Sequence, residues 1–556
     1  MKKSVALFLA FLLLAPLAAF AGGSEAPTPR VFTVYLGDSL NKNSSQWSDT
    51  EIGKIVEELT GVRVEIEYIF GSNEEESAGL KVAAGQFADI IIPHHAANIF
   101  RDAGALVPLN DLYLEHCPNV QKLWGNYIGR LNDVETGILW GLSSSDFNAP
   151  AMDYPFSGFW MKNAAVALNG YEVIRTQDEF FNAIRAYVAA NPTTNGQPTI
   201  GFSGPAEDWR WVFFTHGARK MNGWHNTGGF VYDPVTYQAT SYNRMEGARD
   251  YFLFMNELYR EGLLDPELLS QTHDEYVAKV ASGRVVGFYD EWWQVMDAFA
   301  LIKQEDRADD MYIPFSISSD TAQIGMNDVY AGVQAMSTAL SICVSSDAED
   351  PVAILEFIDF LASDEMQELL WWGVEGVHFQ KDESGRRYLT EEQYDERTMD
   401  VRFSDRTGIG HSFATAIPAR VDRSAEWEDG SGVTDPMFDR KIRSQIVYND
   451  TEKSVLANMG WETFMDGMGE MWKSPYGYAW DIGVPEEDDL LNEARSNIFL
   501  EGEHGQNFFQ HMIMAGSTEE ALAIWDQLQA YLIDGGVEAL EEYFTMRVQQ
   551  RVEEWN

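Results

Sequence analysis

The segment SDTEIGKIVEELTGVRVEIEYIF, residues 48–70, contains the pattern on which the predicted fold class depends. Its first part places apolar residues at helical spacing up to Gly61, which predicts a helix with Ser48 as a plausible N-cap. Its second part, from Val62, alternates apolar and polar residues, as expected of a β-strand with one buried face. A helix that leads directly into a strand favours an α/β architecture.

The flanking segments extend this pattern in both directions. RVFTVYLG (residues 30–37) predicts a strand, EEESAGLKVAAGQF (74–87) a second helix, and the apolar ADIIIP (88–93) a fully buried third strand. This βαβαβ order predicts a parallel sheet with helices on both faces.

A second run of strands and helices follows. It begins near GFWMKN (158–163) and continues through TQDEFFNAIRAYVAAN (176–191), PTIGFSG (198–204) and DEYVAKVASGRVVGFYD (274–290). GVQAMSTALSICVSS (332–346) and PVAILEFIDFLASDEMQELLWW (351–372) add one more strand and a long helix. Two α/β lobes with several crossovers fit this order best.

The composition excludes several classes of protein. The 556 residues include 87 acidic and 39 basic side chains, for a formal net charge of −48. A surface of that sign repels nucleic-acid phosphates and anionic membranes, so we expect neither as a partner. The acidity fits either a protein kept soluble in high salt or an acidic surface with no special habitat, and the sequence does not separate the two.

The same charge predicts a stability that depends on salt. Uncompensated negative charges repel one another in the compact state, and salt screens that repulsion over a Debye length of about 10 Å at 0.1 M. The melting temperature is therefore expected to rise by several degrees between low salt and molar NaCl in differential scanning calorimetry. A melting temperature that stays flat over this range would show that the acidity has no bearing on stability.

The amino terminus indicates an export signal. MKKSVALFLAFLLLAPLAAFA (residues 1–21) contains two lysines, an apolar run and Ala19-Phe20-Ala21, which match the n-region, h-region and A-x-A cleavage site of a signal peptide. We expect a periplasmic or otherwise extracytoplasmic protein from which residues 1–21 are removed. No cysteine follows the apolar run, so a lipid anchor is not expected. Export permits a disulfide, but we expect Cys117 and Cys343 to be two independent buried thiols, because Cys343 lies in the apolar ALSICVSS.

Several segments, taken in order, carry a family resemblance. They are GVRVEIEY (61–68), GLKVAAGQFADIIIP (79–93), GALVPLNDLYLEHCPNV (104–120), YREGLLDPELLSQTHDEYVAKVASGRVVGFYD (259–290), DPVAILEFIDFLASDEMQELLWWGVEGVHF (350–379) and QHMIMAGSTEEALAIWDQLQAYLIDGGVEALEEYF (510–544). With the exported amino terminus, they make the chain resemble the extracellular solute-binding proteins of family 1, and most closely the LplA-like sugar-binding branch. The chain departs from many relatives in lacking the cysteine of a lipid anchor.

The resemblance implies an α/β, two-lobed periplasmic-binding-protein fold that is type II-like, with a hinge between the lobes and extra C-terminal helices. We expect lobe 1 to comprise residues 22–148 and 320–372, and lobe 2 residues 149–319 and 373–556. Such a protein is implied to be a monomer without a cofactor. It captures a carbohydrate, with an oligosaccharide favoured, and delivers it to the membrane permease of an ABC transporter. The sequence does not name the sugar or the permease.

The residues that follow each strand are the candidates for ligand binding, because the crevice of an open α/β sheet lies beyond the carboxyl ends of its strands. Amides, carboxylates and aromatic rings are frequent there. Sugar hydroxyls need paired donors and acceptors, and the C–H face of a pyranose lies well against an aromatic ring. The candidate residues are Asn41, Trp47, His94, His95, Asp146, Trp209, Trp211, Tyr289, Asp290, Glu291, Trp292 and Trp293.

Two of these sets have structural alternatives. Adjacent residues point to opposite faces of a strand and lie about 100° apart around a helix, so Trp292 and Trp293 cannot both stack on one sugar in a regular element. We expect one to face the cleft while the other packs under the lobe, and the alternative is that both are core residues. His94 and His95 either contact the ligand or form a hydrogen-bonded loop. Glu375 and His378, in GVEGVHF, are expected to be structural.

The main alternative function is that of a secreted glycoside hydrolase, which requires two carboxylates across a cleft. With 87 acids, the sequence offers too many pairs to select one. It lacks the G-x-S-x-G, H-E-x-x-H and Walker motifs and a paired-cysteine metal site. The pair His94-His95 is by itself a weak zinc signal. The sequence therefore predicts neither catalytic residues nor a metal site.

Overall fold

The structure is a computed structural model, and the residues it describes are those from Thr28 to Trp555 with several gaps. They are 28–38, 43–69, 73–133, 136–144, 157–207, 210–224, 229–233, 235–319, 341–418, 427–432, 436, 439–468, 476, 479, 482–485, 488–498 and 503–555. The predicted signal peptide and the candidate residues Asn41, Asp146 and Trp209 lie outside these ranges.

The opening βαβαβ run is present as predicted. It consists of β1 (Arg30–Leu36), α1 (Glu51–Thr60), β2 (Val62–Tyr68), α2 (Glu74–Ala84) and β3 (Ile90–Ile92). β1 pairs in parallel with both β2 and β3, so the carboxyl ends of these three strands meet at one edge of the sheet. Three short helices follow: α3 (Ala97–Asp102), α4 (Asn110–His116) and α5 (Pro118–Trp124).

The start of α1 differs from the prediction by two residues. Thr50, rather than Ser48, is the N-cap, and its side chain accepts a hydrogen bond from the amide of Gly53 at 3.0 Å. The hydroxyl of Ser48 instead accepts one from the amide of Val64 in β2, at 2.8 Å. The predicted end is confirmed, since Gly61 terminates the helix at φ 69°, a conformation that glycine adopts without steric cost.

The second segment forms the second lobe. Its strands are β4 (Ser157–Lys162), β5 (Thr193–Thr194), β6 (Gln197–Pro198), β7 (Ile200–Ser203), β8 (Phe230–Tyr232), β9 (Ala239–Ser241), β10 (Val285–Glu291) and β11 (Tyr312–Phe315). Its helices are α6 (Asn163–Leu168), α7 (Gln177–Ala190), α8 (Trp211–Asn222), α9 (Glu246–Glu261), α10 (His273–Ala281) and α11 (Met296–Gln304). The central sheet has the order β11-β4-β10-β7, with β10 parallel to β7 and antiparallel to β4. β7 and β10 therefore end at the same edge.

The chain then returns to the first lobe. β12 (Cys343–Val344) pairs antiparallel with β3 and gives the first sheet the order β12-β3-β1-β2. The elements that follow are α12 (Pro351–Leu361), α13 (Asp364–Trp371), β13 (Gln380–Lys381), β14 (Arg387–Tyr388), α14 (Glu391–Met399), α15 (Phe403–Thr407) and α16 (Ser412–Thr415). Cys117 and Cys343 are both buried and free, which confirms the prediction of two independent thiols.

The first lobe extends further along the chain than predicted. Phe403, Ile409, Phe413 and Ile417 are buried in the same hydrophobic core as β1 to β3. The residues after 372 therefore return to the first lobe before the chain crosses again, because this apolar segment packs against the start of α1. Tyr448 is the first buried residue after this crossing that belongs to the core of the second lobe.

The remaining helices include the predicted C-terminal extension, which packs on the second lobe, whereas Ile442 of the first of them packs with Trp372, Phe379 and Leu389. These helices are α17 (Arg440–Ile442), α18 (Asp450–Met459), α19 (Asp489–Ile498), α20 (Glu503–Met514), α21 (Thr518–Asp534) and α22 (Val537–Glu554). Asn256 of α9 joins them to the lobe, because its buried side-chain amide donates to the carbonyls of Ile513 and Ala515 at 3.0 and 2.6 Å. Among the helices of the described residues, none combines the length and apolarity needed to cross a membrane.

Buried histidines are a further feature of the interior. His411 is fully buried; its Nε2 lies 3.2 Å from the hydroxyl of Tyr68, and its Nδ1 accepts from the amide of Phe413. Burial lowers the pKa of His411 to about 4. Burial likewise lowers the pKa values of His216 and His378. These imidazoles are therefore neutral in the folded protein at pH values where the unfolded chain is protonated.

We expect His411 to make stability fall as pH is lowered. With a pKa near 6.5 in the unfolded chain and about 4 in the fold, acidification from pH 7 to pH 5 favours the unfolded state by about 2 kcal/mol at this residue. His411→Asn keeps a side-chain acceptor at this helix cap but cannot titrate. Urea unfolding at both pH values should show a smaller loss for the variant than for wild type, and equal losses would contradict the assignment.

Candidate functional site

Three segments meet at the carboxyl edge of the second-lobe sheet: the end of β10, the residues that follow β7, and the first turn of α8. Arg210 Nε donates to Gln294 Oε1 at 3.3 Å. The rings of Phe213 and Trp293 lie 5.5 Å apart, nearly perpendicular at 88°. Phe213, Arg210 and Trp293 are each partly exposed. We refer to Arg210, Phe213, Glu291 and Trp293 as the second-lobe face.

Residues 289–291 alternate between the two sides of β10, and Trp292 and Trp293 follow the strand in a short 3-10 turn, Trp292–Gln294. On the side of α8, Tyr289 packs 4.9 Å from the ring of Phe159, Glu291 lies near His216, and Trp293 contacts Phe213. On the opposite side, Trp292 packs against a separate cluster that includes Phe288 and Tyr312. The two adjacent tryptophans therefore lie on different sides of the chain, and only Trp293 belongs to the second-lobe face.

Trp292, like Trp293, is partly exposed, and a cavity lies beside it. The cavity has a volume of about 240 Å³ and lies between α11 and the segment 443–464. Its lining includes Trp292 together with Trp160, Phe299, Tyr448 and Phe464. Most of the lining comes from α11 and the C-terminal region, so we assign the cavity to the packing between them.

Asp290 is fully buried, and burial raises its pKa well above the usual range, although its Oδ1 accepts a hydrogen bond from the amide of Glu291 at 2.8 Å. Its carboxyl group has no surface exposed to a sugar hydroxyl in this structure. Glu291 is also buried, and its Oε1 lies 3.8 Å from His216 Nδ1. Burial, followed by the charges of Arg219 and Lys220, lowers the pKa of His216 well below its ordinary value.

The edge of the first sheet presents Asp38 and the histidine pair. Gly37 follows β1, and its amide donates to the carbonyl of Ile92 at 2.9 Å. A Cβ at Gly37 would lie 3.0 Å from that carbonyl oxygen, so this close approach of β1 and β3 favours glycine. His94 and His95 follow β3 directly, are both exposed, and place their ring centres 4.1 Å apart. Nδ1 of His94 lies 2.8 Å from the carboxylate of Glu74.

The loop after β1 is anchored by a residue that the sequence did not reveal. Asp405 Oδ1 accepts hydrogen bonds from the amides of Ser44 and Ser45, at 2.9 and 3.3 Å, and from the side chain of Asn43 at 3.2 Å. Burial opposes the ionisation of Asp405, but these bonds outweigh it and lower its pKa to about 2. Asp405 therefore positions the beginning of α1 and the loop beside the first-lobe edge. Its partners lie about 360 residues away in sequence, and no local pattern marks it.

Three aromatic candidates lie in the interior. Trp47 is fully buried, packs 5.0 Å from Phe413 and donates Nε1 to the carbonyl of Gly408. Trp211 is 6% exposed and stacks on Phe214. Tyr289 has no exposed surface. Aromatic rings suit a core as well as a sugar site, and here neighbours distant in sequence cover them. These three residues, like Asp290, are therefore candidates that the structure places in the interior.

The expected structural role of the GVEGVHF segment agrees with its contacts. His378 is buried, and its Nδ1 accepts from the amide of Val374 at 3.0 Å. Its Nε2 lies 3.4 Å from a carboxylate oxygen of Glu51 in α1. Glu375 lies 3.4 Å from Lys381. This segment therefore ties the end of α13 to the first lobe.

The fold and these two edges define a binding protein of two α/β lobes, each presenting polar and aromatic side chains at the carboxyl ends of its strands, where ligands bind in such sheets. The profile of the family described as bacterial extracellular solute-binding protein matches residues 46–368, and the chain belongs to this family. It is accordingly an extracellular solute-binding protein, and its place is outside the cytoplasm.

Solved structures share the whole fold. An extracellular solute-binding protein from Bifidobacterium longum subsp. infantis is 15% identical with a TM-score of 0.68, over 94% of this chain and 98% of that one. An HMO-binding, ABC-transporter-associated protein from the same source is 16% identical with a TM-score of 0.60, over 94% and 98%. FusA of Streptococcus pneumoniae, in complex with kestose, is 16% identical with a TM-score of 0.59, over 94% and 99%. A search of curated proteins found no match.

Proposed function

We propose that this protein captures a carbohydrate between its lobes, an oligosaccharide in preference to a monosaccharide, and delivers it to the permease of an ABC importer. It acts as a monomer, exported by the signal predicted at residues 1–21. The observation that carries the proposal is the second-lobe face, where the partly exposed ring of Trp293 stands beside Phe213 and Arg210. A ring of this kind is a platform for the apolar face of a pyranose.

The polar groups around this platform suit sugar hydroxyls. Arg210 of the second-lobe face and Asp38 at the edge of the first sheet are of the residue types that sugars require, since a guanidinium donates hydrogen bonds and a carboxylate accepts them. Solved structures that share the fold are described as complexes with kestose and fructo-nystose and as alginate-binding and N-glycan transport proteins. Those descriptions support a carbohydrate ligand and do not select one sugar.

The proposed contacts come from both lobes. The second lobe contributes Trp293 and Arg210, with Glu291 behind them. The first lobe contributes the exposed His95 and the edge after β1. Three residues outside the described ranges stay in the proposal as predictions from the sequence: Asn41, Asp146 and Trp209.

A thermal-shift screen against mono- and oligosaccharides tests the proposal. A ligand that binds only the folded state stabilises it by about 2.7 kcal/mol at a hundredfold excess over its Kd, so a cognate oligosaccharide should raise the melting temperature and saturate in titration calorimetry. The sugar should be recovered intact by chromatography after incubation. Hydrolysis of the sugar would favour the glycosidase alternative, and no shift with any carbohydrate would overturn the proposed ligand class.

A further inference from the structure

Glu74, His94 and His95 bring two imidazoles and a carboxylate together at the carboxyl end of β3. One potential ligand atom from each residue lies within 4.8 Å of the other two. The Glu74–His94 pair is already in contact at 2.8 Å. Among the described residues, this is the group of three histidine, cysteine or acidic side chains whose potential ligand atoms lie close enough together to hold one metal ion.

We propose that these three residues form a binding site for a first-row transition metal ion such as Zn²⁺. Imidazole nitrogen and carboxylate oxygen are ligands that Zn²⁺ takes at about 2.0–2.2 Å, and two histidines with one glutamate leave a fourth tetrahedral position open. Ligand atoms of such a site lie roughly 3.3 Å apart. Without an ion the Glu74–His94 contact is 2.8 Å and the three ligand atoms lie within 4.8 Å of one another, so small rotations of these side chains, two of them exposed, would bring the set to this spacing.

The backbone at His94 favours this convergence. Its φ of 51° lies in the left-handed region, which residues other than glycine adopt infrequently. The turn follows directly after the buried β3, so the two consecutive imidazoles leave the sheet edge on the side of α2, whose first residue is Glu74. Glu74 is itself largely buried, with 11% of its side chain exposed, which holds its carboxylate in place beside His94.

Local charge also favours a cation. Glu75 and Glu76 continue the first turn of α2, and the whole chain carries a net charge of −48, so the potential at this edge attracts divalent ions. Ca²⁺ and Mg²⁺ prefer oxygen ligands in larger numbers, whereas imidazole selects Zn²⁺, Co²⁺, Ni²⁺ and Cu²⁺. A site with two imidazoles is therefore expected to bind these transition metal ions in preference to Ca²⁺ and Mg²⁺.

Titration of the metal-free full chain with Zn²⁺ by calorimetry, and with Co²⁺ by its visible absorption, tests the site. One ion should bind with a Kd in the micromolar range, and the Co²⁺ spectrum should report histidine ligation. His95→Ala and His94→Asn should each raise the Kd at least tenfold. Asparagine is chosen at position 94 because it tolerates the left-handed conformation. Melting curves show whether each variant remains folded.

His116→Ala is the matched control. His116 is also near the surface and lies 3.1 Å from a carboxylate oxygen of Glu356, so its removal deletes a histidine–glutamate pair without touching the proposed site and should leave the Kd unchanged. Failure of the wild-type chain to bind Zn²⁺, or equal affinity in the His94 and His95 variants, would overturn the proposal. No sugar is present in these titrations, so their outcome is independent of the carbohydrate proposal.

Discussion

Replacing Trp47 with alanine is expected to lower the free energy of unfolding by about 3–5 kcal/mol, the usual cost of deleting a buried tryptophan. The ring is fully buried and packs against Phe413, and its Nε1 donates to the carbonyl of Gly408. It therefore joins the first strand-to-helix connection to the segment that returns to the first lobe late in the chain. Urea denaturation followed by fluorescence and circular dichroism measures the change.

Leu114→Ala is the control for this prediction. Leu114 lies in the same lobe but is 64% exposed, and surface substitutions usually change stability by less than about 0.5 kcal/mol. The folded fraction of Trp47→Ala should bind sugar with normal affinity. A Trp47→Ala variant that keeps wild-type stability but loses sugar binding would show that Trp47 contacts the ligand.

Replacing Trp293 with alanine is expected to weaken sugar binding about tenfold to hundredfold. Loss of ring contact with the sugar costs about 1–3 kcal/mol, which corresponds to that range of affinity. The ring is partly exposed and touches the lobe edge-on at Phe213, so the melting temperature should change little. Calorimetry with the tightest carbohydrate from the thermal-shift screen measures the affinity.

Trp292→Ala is the matched variant, one residue away on the other side of the chain. Trp292 packs against the cluster formed by Phe288, Tyr312 and their neighbours, so its truncation should cost about 2–3 kcal/mol of stability and leave the affinity of the folded protein near normal. The opposite division, with binding lost in Trp292→Ala and stability lost in Trp293→Ala, would show that the ligand lies on the side of the cavity. Normal binding in both variants would place the site elsewhere.

Features that depend on local pattern were predictable. The alternation in β2, the helical spacing before it and the apolar β3 are each encoded within a few neighbouring residues, and the predicted βαβαβ run is present. Trp292 and Trp293 lie on different sides of the chain, but in a 3-10 turn after the end of β10 and not within the strand. The order of motifs along the whole chain was enough to indicate a two-lobed solute-binding protein.

The N-cap of α1 shows where local pattern stops being sufficient. Ser48 and Thr50 are both residues that cap helices well, and nothing in their immediate neighbours separates them. Ser48 does not cap the helix because its hydroxyl accepts a hydrogen bond from the amide of Val64 in β2. The choice was made by a contact across the sheet, which the sequence does not display.

By itself the sequence determined the fold class, the order of the elements and the strand ends that form the sheet edges, because hydrophobic periodicity is a short-range property. The tertiary structure decided which of the candidate side chains reach those edges. Trp47 is covered by a segment about 360 residues away, Asp405 holds the loop after β1 across a similar separation, and Glu74 meets His94 through the packing of α2 beside β3. Burial is set by which distant segments pack together, and an aromatic or acidic residue has the same local pattern in a core as in a cleft.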